Sequence, residues 1–301
     1  MKEKDLEKQG YRLVGSHSAI KVCMWCKRSL VDSDVCYKEQ FYDTKSHRCV
    51  QMTPVLWSCS NRCIWCWRDI EHTSKDFKGK VDDPEEIVDG CIKAHVNYLL
   101  GFGGNKKANK KKLKDISNPQ QFAISLTGEP TLYPKLPELI DELHDRKINS
   151  FLVTNGTNPE MLRKLIGKHE PTQLYVSLPA PNQKIYEKCC SPLIKDGWKK
   201  IIESLGLLAV FKCRTAIRLT LVKYENMVNP GGYAKLIDES GADYVECKAY
   251  MYVGHSRERL EMKNMPRHHE VMEFAKKIEA NSRYKMVDEK KESRVVLLAK
   301  S

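Results

Sequence analysis

The sequence predicts an α/β protein: a partial (β/α)6 barrel with a Cys-rich N-terminal extension and a short C-terminal extension. Two observations point to the barrel. Between about residues 50 and 250 short apolar strand patterns alternate with helical ones, as in right-handed βαβ units around a parallel sheet. The polar and glycine-bearing motifs fall where those strands end, which is where such folds carry their sites. A third observation sets the N-terminus apart: residues 1–50 hold four cysteines and few strand signals. The division implied is an extension at 1–50, a core at 51–254 and a C-terminal extension at 255–301. An ordinary doubly wound sheet is the alternative architecture.

The elements follow in order. Val50–Leu56 reads as a strand running into a cysteine loop. Asp83 is placed as an N-cap, with Pro84 at the first helical position and Glu86 at the third. Behind them Ile87, Val88, Cys91, Ile92, His95, Val96 and Leu99 recur at helical spacing. Phe122–Leu126 is a short strand ending in Thr127, Gly128, Glu129 and Pro130, and Pro137–Arg146 is helical. Phe151–Thr154 is a strand ending in Asn155, Gly156 and Thr157. Asn158 and Pro159 start the next helix, which Gly167 stops. Leu174–Ser177, Ala216–Val222 and Asp243–Ala249 complete six strands, with helices over Trp198–Ala209 and Gly232–Glu239 between them. Beyond Gly254 come one helix, near Pro266–Ala280, a charged stretch, and a final apolar run over Val295–Ala299.

The chain has 301 residues, 41% of them hydrophobic, enough for a sizeable core. Its longest apolar runs fall far short of a membrane span. Residues 1–5 show no leader pattern, so the sequence predicts a cytoplasmic protein with no membrane partner. Lys and Arg total 51 against 39 Asp and Glu, a net charge of +12, which favours a polyanionic partner. Asn105–Lys114 carries six lysines in ten positions. It reads as a mobile loop with no apolar face, either gripping phosphates or standing as a solvated insertion.

Cys59, Cys63 and Cys66 stand at C-x3-C-x2-C spacing. A cubane cluster has four irons, and three thiolates leave one iron open to a substrate or cosubstrate. A zinc site ordinarily has four ligands in paired motifs, and the run offers no fourth. Twelve cysteines in a chain with no leader pattern favour metal over disulfides. The run resembles the signature of radical S-adenosylmethionine (SAM) enzymes. That resemblance implies SAM bound through its amino and carboxylate groups on the free iron. Gly128 and Glu129 resemble that superfamily's motif for the methionyl amine, with Thr127 in place of its first glycine. Asn155 and Ser177 stand at strand ends where the ribose and carboxylate of SAM would lie, or serve as turn residues. Arg218 either points inward to pair with the SAM carboxylate or outward as a surface charge.

Cys23, Cys36 and Cys49 repeat at C-x12-C-x12-C, with Cys26 as a possible fourth. A second cluster, a zinc site from all four, or buried inert thiols are the readings. The flanks carry a closer resemblance. Cys36, Tyr37 and Lys38, then Phe41 and Tyr42, then His47 to Pro54, then Trp57 to Arg68 are similar to the archaeal 4-demethylwyosine synthases of tRNA wybutosine biosynthesis. The similarity continues through Leu126 to Pro134, Val153 to Thr157, Ser177 to Pro181, Arg218 to Val222 and Val245 to Gly254. It covers most of the chain.

The resemblance implies two [4Fe–4S] clusters, one on Cys59, Cys63 and Cys66 and one on Cys23, Cys36 and Cys49, with Cys26 outside both. It implies that a 5′-deoxyadenosyl radical takes a hydrogen from the methyl group of N1-methylguanosine in tRNA-Phe, next to the anticodon. Pyruvate then adds two carbons and loses carbon dioxide, closing the tricycle in a lyase-type, carbon–carbon bond-forming reaction. Lys38 is the implied pyruvate-holding amine and Lys248, at the end of the last core strand, the second candidate. The flavodoxin-like domain of eukaryotic relatives is lacking, so electrons come from an external flavodoxin-like or ferredoxin-like donor. Arg62, Arg68 and the lysine loop are candidate phosphate contacts. The alternatives are another radical SAM reaction such as methylthiolation, methyl transfer or peptide maturation, a non-catalytic iron–sulfur or zinc protein that binds RNA, or an electron carrier.

Overall fold

A computed structural model describes residues 3–301. Met1 and Lys2, part of the stretch read as free of a leader pattern, lie outside the described residues. The chain divides into two compact units: Met1–Ser58 with Phe77–Val153, and Cys59–Asp76 with Thr154–Ser301.

The first unit begins with helix α1 (Glu3–Lys8) and an antiparallel hairpin, β1 (Tyr11–Val14) and β2 (Ser18–Lys21). The sequence showed few strand signals here because each strand has only four residues, too few to display alternation. Two short helices, α2 (Met24–Leu30) and α3 (Tyr37–Tyr42), lead to β3 (Cys49–Thr53). Strand β3 pairs antiparallel with β2 and parallel with β4 (Gln121–Ile124). Strand β4 then pairs parallel with β5 (Asn149–Thr154). Val50, Phe122 and Ser150 share one register row, and Gln51, Ala123 and Phe151 the next.

Helix α4 (Pro84–Leu100) starts where the sequence placed it, and its buried face is Ile87, Val88, Cys91, His95 and Leu99. Asp83 occupies the N-cap position, but its side chain makes no cap bond. It takes the ammonium of Lys135 at 2.5 Å instead. The lysine-rich segment is helical in its second half rather than loop throughout. Lys110–Lys114 forms α5, capped by Asn109, whose Oδ1 accepts the backbone N–H of Lys111 at 3.0 Å and of Lys112 at 3.2 Å. Leu113 supplies the apolar anchor, packing with Leu30, Leu99 and Ile116. Helix α6 (Leu136–Asp145) closes the unit's element list.

The second unit holds β6 (Gln173–Ser177), β7 (Arg214–Leu221) and β8 (Tyr244–Ala249), paired parallel in that order. Helices α7 (Pro159–Leu165), α8 (Gln183–Cys190), α9 (Gly197–Leu207) and α10 (Pro230–Ser240) alternate with them. After α11 (His268–Glu279) the chain adds β9 (Tyr284–Lys290) and β10 (Val295–Lys300), with β10 antiparallel to both β8 and β9. Strand β10 is the final apolar run. Strand β9 was hidden in the charged stretch because an edge strand tolerates charge on its open side. Each unit thus holds three parallel strands with helices between them, β3 to β5 in the first and β6 to β8 in the second.

Candidate functional site

The second unit contains the cysteine loop. Backbone bonds fix it from several directions. The N–H of Cys59 donates to Ser74 O at 2.9 Å, Arg62 N–H to Cys190 O at 2.8 Å, and Ile64 N–H to Cys189 O at 2.9 Å. The end of α8, which the sequence reading passed over, therefore holds the loop. Arg259 Nε donates to the carbonyl of Ile64 at 3.2 Å and its Nη2 to the carbonyl of Cys66. Gly254 permits a second close approach. It sits at φ +59, and a Cβ there would lie 2.3 Å from Trp67 O.

The thiols of Cys59, Cys63 and Cys66 are half-buried. Cys63 titrates well above the ordinary thiol range because the Cys190 thiol hydrogen-bonds it and because it is buried. Burial raises Cys66 as well. Loading metal on these thiols therefore expels protons. Asn155 Nδ2 donates to Cys59 Sγ at 3.7 Å and to Ser60 Oγ at 2.8 Å, and its Oδ1 accepts the Thr157 hydroxyl at 2.7 Å. Donors aimed at a ligand sulfur are one way a protein tunes an iron–sulfur centre. The donor set, three thiols on an anchored loop with an amide on one sulfur, fits such a cluster. Cys190, Thr157 and Arg259 were not visible as site residues in the sequence, since each reaches the loop only through tertiary contact.

Register settles the parity of Arg218. Ser177, Arg218 and Glu246 form one row, and Thr220 and Lys248 the next. All five share a face, while Ile217, Leu219, Val245 and Cys247 on the opposite face are fully buried. The Arg218 guanidinium pairs with Glu246 through Nη2 at 2.8 Å and Nε at 3.1 Å and lies 4.7 Å from the centre of the Tyr175 ring. Glu246 is wholly buried, so the pair offsets a charge that would be costly alone. Lys248 Nζ donates to Ser293 O at 2.9 Å. Arg62 Nη2 donates to Glu71 O at 3.3 Å. Arg68 is not a surface phosphate contact: it is 3% exposed and donates to the Thr73 hydroxyl.

The first unit carries the N-terminal cysteines. Cys23 precedes α2, Cys36 precedes α3, and Cys49 opens β3. They are near neighbours, for Cys49 is pushed up to about 12 by burial and then by Cys36 and Cys23. Lys38 and Gln121 act on it in the opposite sense. Cys26 is buried with Val22, Leu30, Leu99 and Ile116, its Sγ 3.9 Å from His47 O, and its thiol is raised well above the ordinary range by burial and then by Cys49 and Cys23. Among the described residues no group of three or more His, Cys, Asp or Glu is placed to hold a single metal ion. Lys38 is buried on α3, with Nζ 4.8 Å from the centre of the Phe151 ring.

Gly128 and Glu129 also lie in this unit. Gly128 has φ +71, and a Cβ there would meet Val55 O at 1.9 Å and Ser58 O at 2.8 Å. The close approach this glycine permits is to the chain's own backbone. Glu129 N–H donates to Ser58 O at 2.9 Å. Its carboxylate is buried, with Oε1 accepting the N–H of Thr131 at 3.1 Å and its hydroxyl at 2.7 Å.

Comparison with known proteins adds to this geometry. A family model for the radical SAM superfamily matches residues 58–237, and one for wyosine base formation matches residues 239–300. An S-adenosyl-L-methionine-dependent tRNA 4-demethylwyosine synthase of Pyrococcus horikoshii is 47% identical over 294 residues, covering 97% of this chain and 86% of that protein. A protein of the same description from Methanocaldococcus jannaschii is 37% identical over 303 residues, covering 98% and 94%. A solved structure of TYW1 with a lysine–pyruvate adduct bound superposes with a TM-score of 0.90 at 35% identity, covering 99% of this chain and 96% of that one.

Proposed function

We propose a reaction for this chain, which belongs to the S-adenosyl-L-methionine-dependent tRNA 4-demethylwyosine synthases of the radical SAM superfamily and has the partial (β/α)6 fold class predicted from its sequence. It is an enzyme that modifies tRNA, using SAM and a [4Fe–4S] cluster to build the wyosine base. Its substrate is N1-methylguanosine next to the anticodon of tRNA-Phe, condensed with pyruvate to the tricyclic 4-demethylwyosine. The observation that carries the pyruvate assignment is the placement of Lys38. A buried amine stands beside Cys49 in the unit that gathers Cys23, Cys36 and Cys49. A structure 35% identical to this chain carries a lysine–pyruvate adduct.

Cys59, Cys63 and Cys66 would hold the catalytic cluster, which when bound supplies the electron that cleaves SAM. Asn155 holds its amide on Cys59 Sγ, and Arg259 fixes the loop carbonyls. Glu129, beside Gly128, accepts the methionyl ammonium. Ser177 and Arg218 offer polar groups to the rest of SAM, with Glu246 orienting the guanidinium. Lys38 attacks the ketone of pyruvate through its amine nitrogen, losing water to give an imine. Lys248 is the second candidate. The methyl group of the base loses a hydrogen atom to the 5′-deoxyadenosyl radical, and its carbon bonds to the pyruvate C2 carbon. The pyruvate carboxyl leaves as carbon dioxide, giving up one electron that the second cluster would accept, and the guanine amine displaces the lysine to close the ring. The base must leave its stack for this. Cys23, Cys36 and Cys49 would hold a second [4Fe–4S] cluster. Residues 1–50 are the extension that carries it, 51–254 the radical SAM core and 255–301 the C-terminal extension. A flavodoxin-like or ferredoxin-like protein donates the electrons. Among the described residues no helix is long and apolar enough to cross a membrane, and we place the enzyme in the cytoplasm with its tRNA.

The deciding experiment incubates reconstituted protein anaerobically with reductant, SAM, isotope-labelled pyruvate and tRNA bearing N1-methylguanosine, then analyses the nucleosides by mass spectrometry. A tricyclic guanosine carrying two pyruvate carbons is expected. Cleavage of SAM with no pyruvate carbon in the tRNA overturns the pyruvate reaction and leaves the radical SAM class standing.

A further inference from the structure

The second unit contains a cavity of about 490 Å3 that no step above uses, lined by Lys223, Met262, Lys263, Met265, Arg267, His269, Glu270 and Arg294. Four permanent cations and one histidine face a single carboxylate. Both oxygens of that carboxylate are engaged. Glu270 Oε1 pairs with Lys223 Nζ at 2.5 Å and Oε2 accepts the backbone N–H of Arg267 at 2.8 Å. Among the described residues Lys263 pairs with Glu261 alone, at 3.0 Å and with both largely exposed, a bond of little strength in water. Arg294 spends one N–H on Pro266 O. Among the described residues Arg267, His269 and Arg294 enter no ion pair. The cavity thus keeps an excess of positive charge that the protein does not neutralise.

Its position is informative. Lys223 stands two residues past the C-terminal end of β7, the end at which sites form in parallel sheets. Met265 lines the cavity and packs against Val222, Tyr250 and Leu260, a cluster against which Ile64 and Trp65 of the cysteine loop also pack. The cavity therefore lies one hydrophobic cluster away from the loop that carries Cys63 and Cys66. The size suits a nucleotide-sized group. At the mouth Lys263, Arg267 and His269 are exposed, and Met262 is 57% exposed, so an apolar sugar face can rest beside the cations.

We propose that this cavity is a backbone-phosphate subsite for the RNA substrate, holding a phosphodiester close to the cysteine loop and so setting how the RNA enters. The proposal rests on the tRNA reading of the preceding section. Lys and Arg contacts of this kind add affinity without reading sequence, and each leaves its mark on the salt dependence.

The test replaces the three exposed basic side chains together, Lys263→Gln, Arg267→Gln and His269→Gln, with iron content and melting temperature confirming a folded protein. Arg267→Lys, which keeps the charge, is the companion variant. Binding of N1-methylguanosine tRNA is measured by anisotropy from 50 to 300 mM salt, with inorganic phosphate as a competing probe. Neutralisation is expected to weaken tRNA binding about tenfold at moderate salt and to flatten the log–log salt slope by roughly one to two. Arg267→Lys keeps wild-type affinity within about threefold. Unchanged affinity and slope in the triple variant overturn the proposal. Loss of phosphate competition with tRNA affinity intact overturns it too, and assigns the cavity to a free phosphate compound. If wild-type protein binds the tRNA and the triple variant does not, yet no tricyclic nucleoside forms, the subsite stands and the proposed reaction alone falls.

Discussion

Arg259 reaches back 195 positions along the chain to donate its Nε to the carbonyl of Ile64 at 3.2 Å. Its second donor goes to Cys66 O. One planar guanidinium thus spans both sides of Trp65, in the loop that carries Cys63 and Cys66. Bonds from a charged donor contribute about 1.5–3 kcal/mol each. Arg259→Ala is expected to shorten the lifetime of the reconstituted cluster at least about tenfold, roughly what the loss of one such bond does. The check is the half-life of the visible absorption under chelator challenge, with circular dichroism unchanged. Arg259→Lys restores little, since one ammonium cannot reproduce the fork.

Lys38 and Lys248 make separable claims on pyruvate. Lys38 lies over the Phe151 ring beside Cys49, while Lys248 donates to the Ser293 carbonyl. Borohydride added to protein and labelled pyruvate traps an imine as a stable amine, and peptide mass spectrometry locates it. The label is expected on Lys38, lost in Lys38→Arg and retained in Lys248→Arg. Label on Lys248 reverses the assignment.

Gly128→Ala confronts backbone rather than a mobile side chain. With Val55 O at 1.9 Å from the added Cβ and φ at +71, the turn must move away from Val55 and Ser58. Strain at such a position costs about 1–3 kcal/mol from the backbone angle alone. The variant should melt lower and lose SAM binding together. Glu129→Gln keeps the shape and removes the charge, so it is expected to weaken SAM binding about ten- to a hundredfold with melting little changed. Equal SAM affinity in Glu129→Gln and wild type removes the ammonium-binding role.

The sequence was most informative where local rules dominate. Pro84 at the first helical position fixed the start of α4, and the six core strands lay within a few residues of their expected places because buried parallel strands read as plain apolar runs. It was least informative where partners come from afar. No local pattern marks Cys190 as the thiol hydrogen-bonded to Cys63. The direction of Arg218 could not be read until its register with Glu246 was known. The lysine run looked like solvated chain because six charges mask Leu113, which packs on the core, and because the bonds of Asn109 and Lys112 to Leu30, Ser29 and Asp32 are made across the fold.

His95 supplies a pH dependence independent of any metal. It sits 1% exposed on α4, and among the described residues neither ring nitrogen has a hydrogen-bond partner. Burial lowers its pKa to about 4, against about 6.5 in an unfolded chain. Below pH 6.5 the unfolded state takes a proton that the native state refuses until near pH 4, so stability falls as pH falls through that window. The stability present above pH 6.5 drops by about 2 kcal/mol on reaching pH 5, at 1.36 kcal/mol per unit. His95→Leu keeps the volume and deletes the proton site. Its urea-unfolding free energy is expected to lose that part of the change between pH 7.5 and 5, and to exceed wild type at pH 7.5 by about 1 kcal/mol for the removed orphan polar group. Equal pH dependence in variant and wild type means the ring finds a partner or solvent in solution.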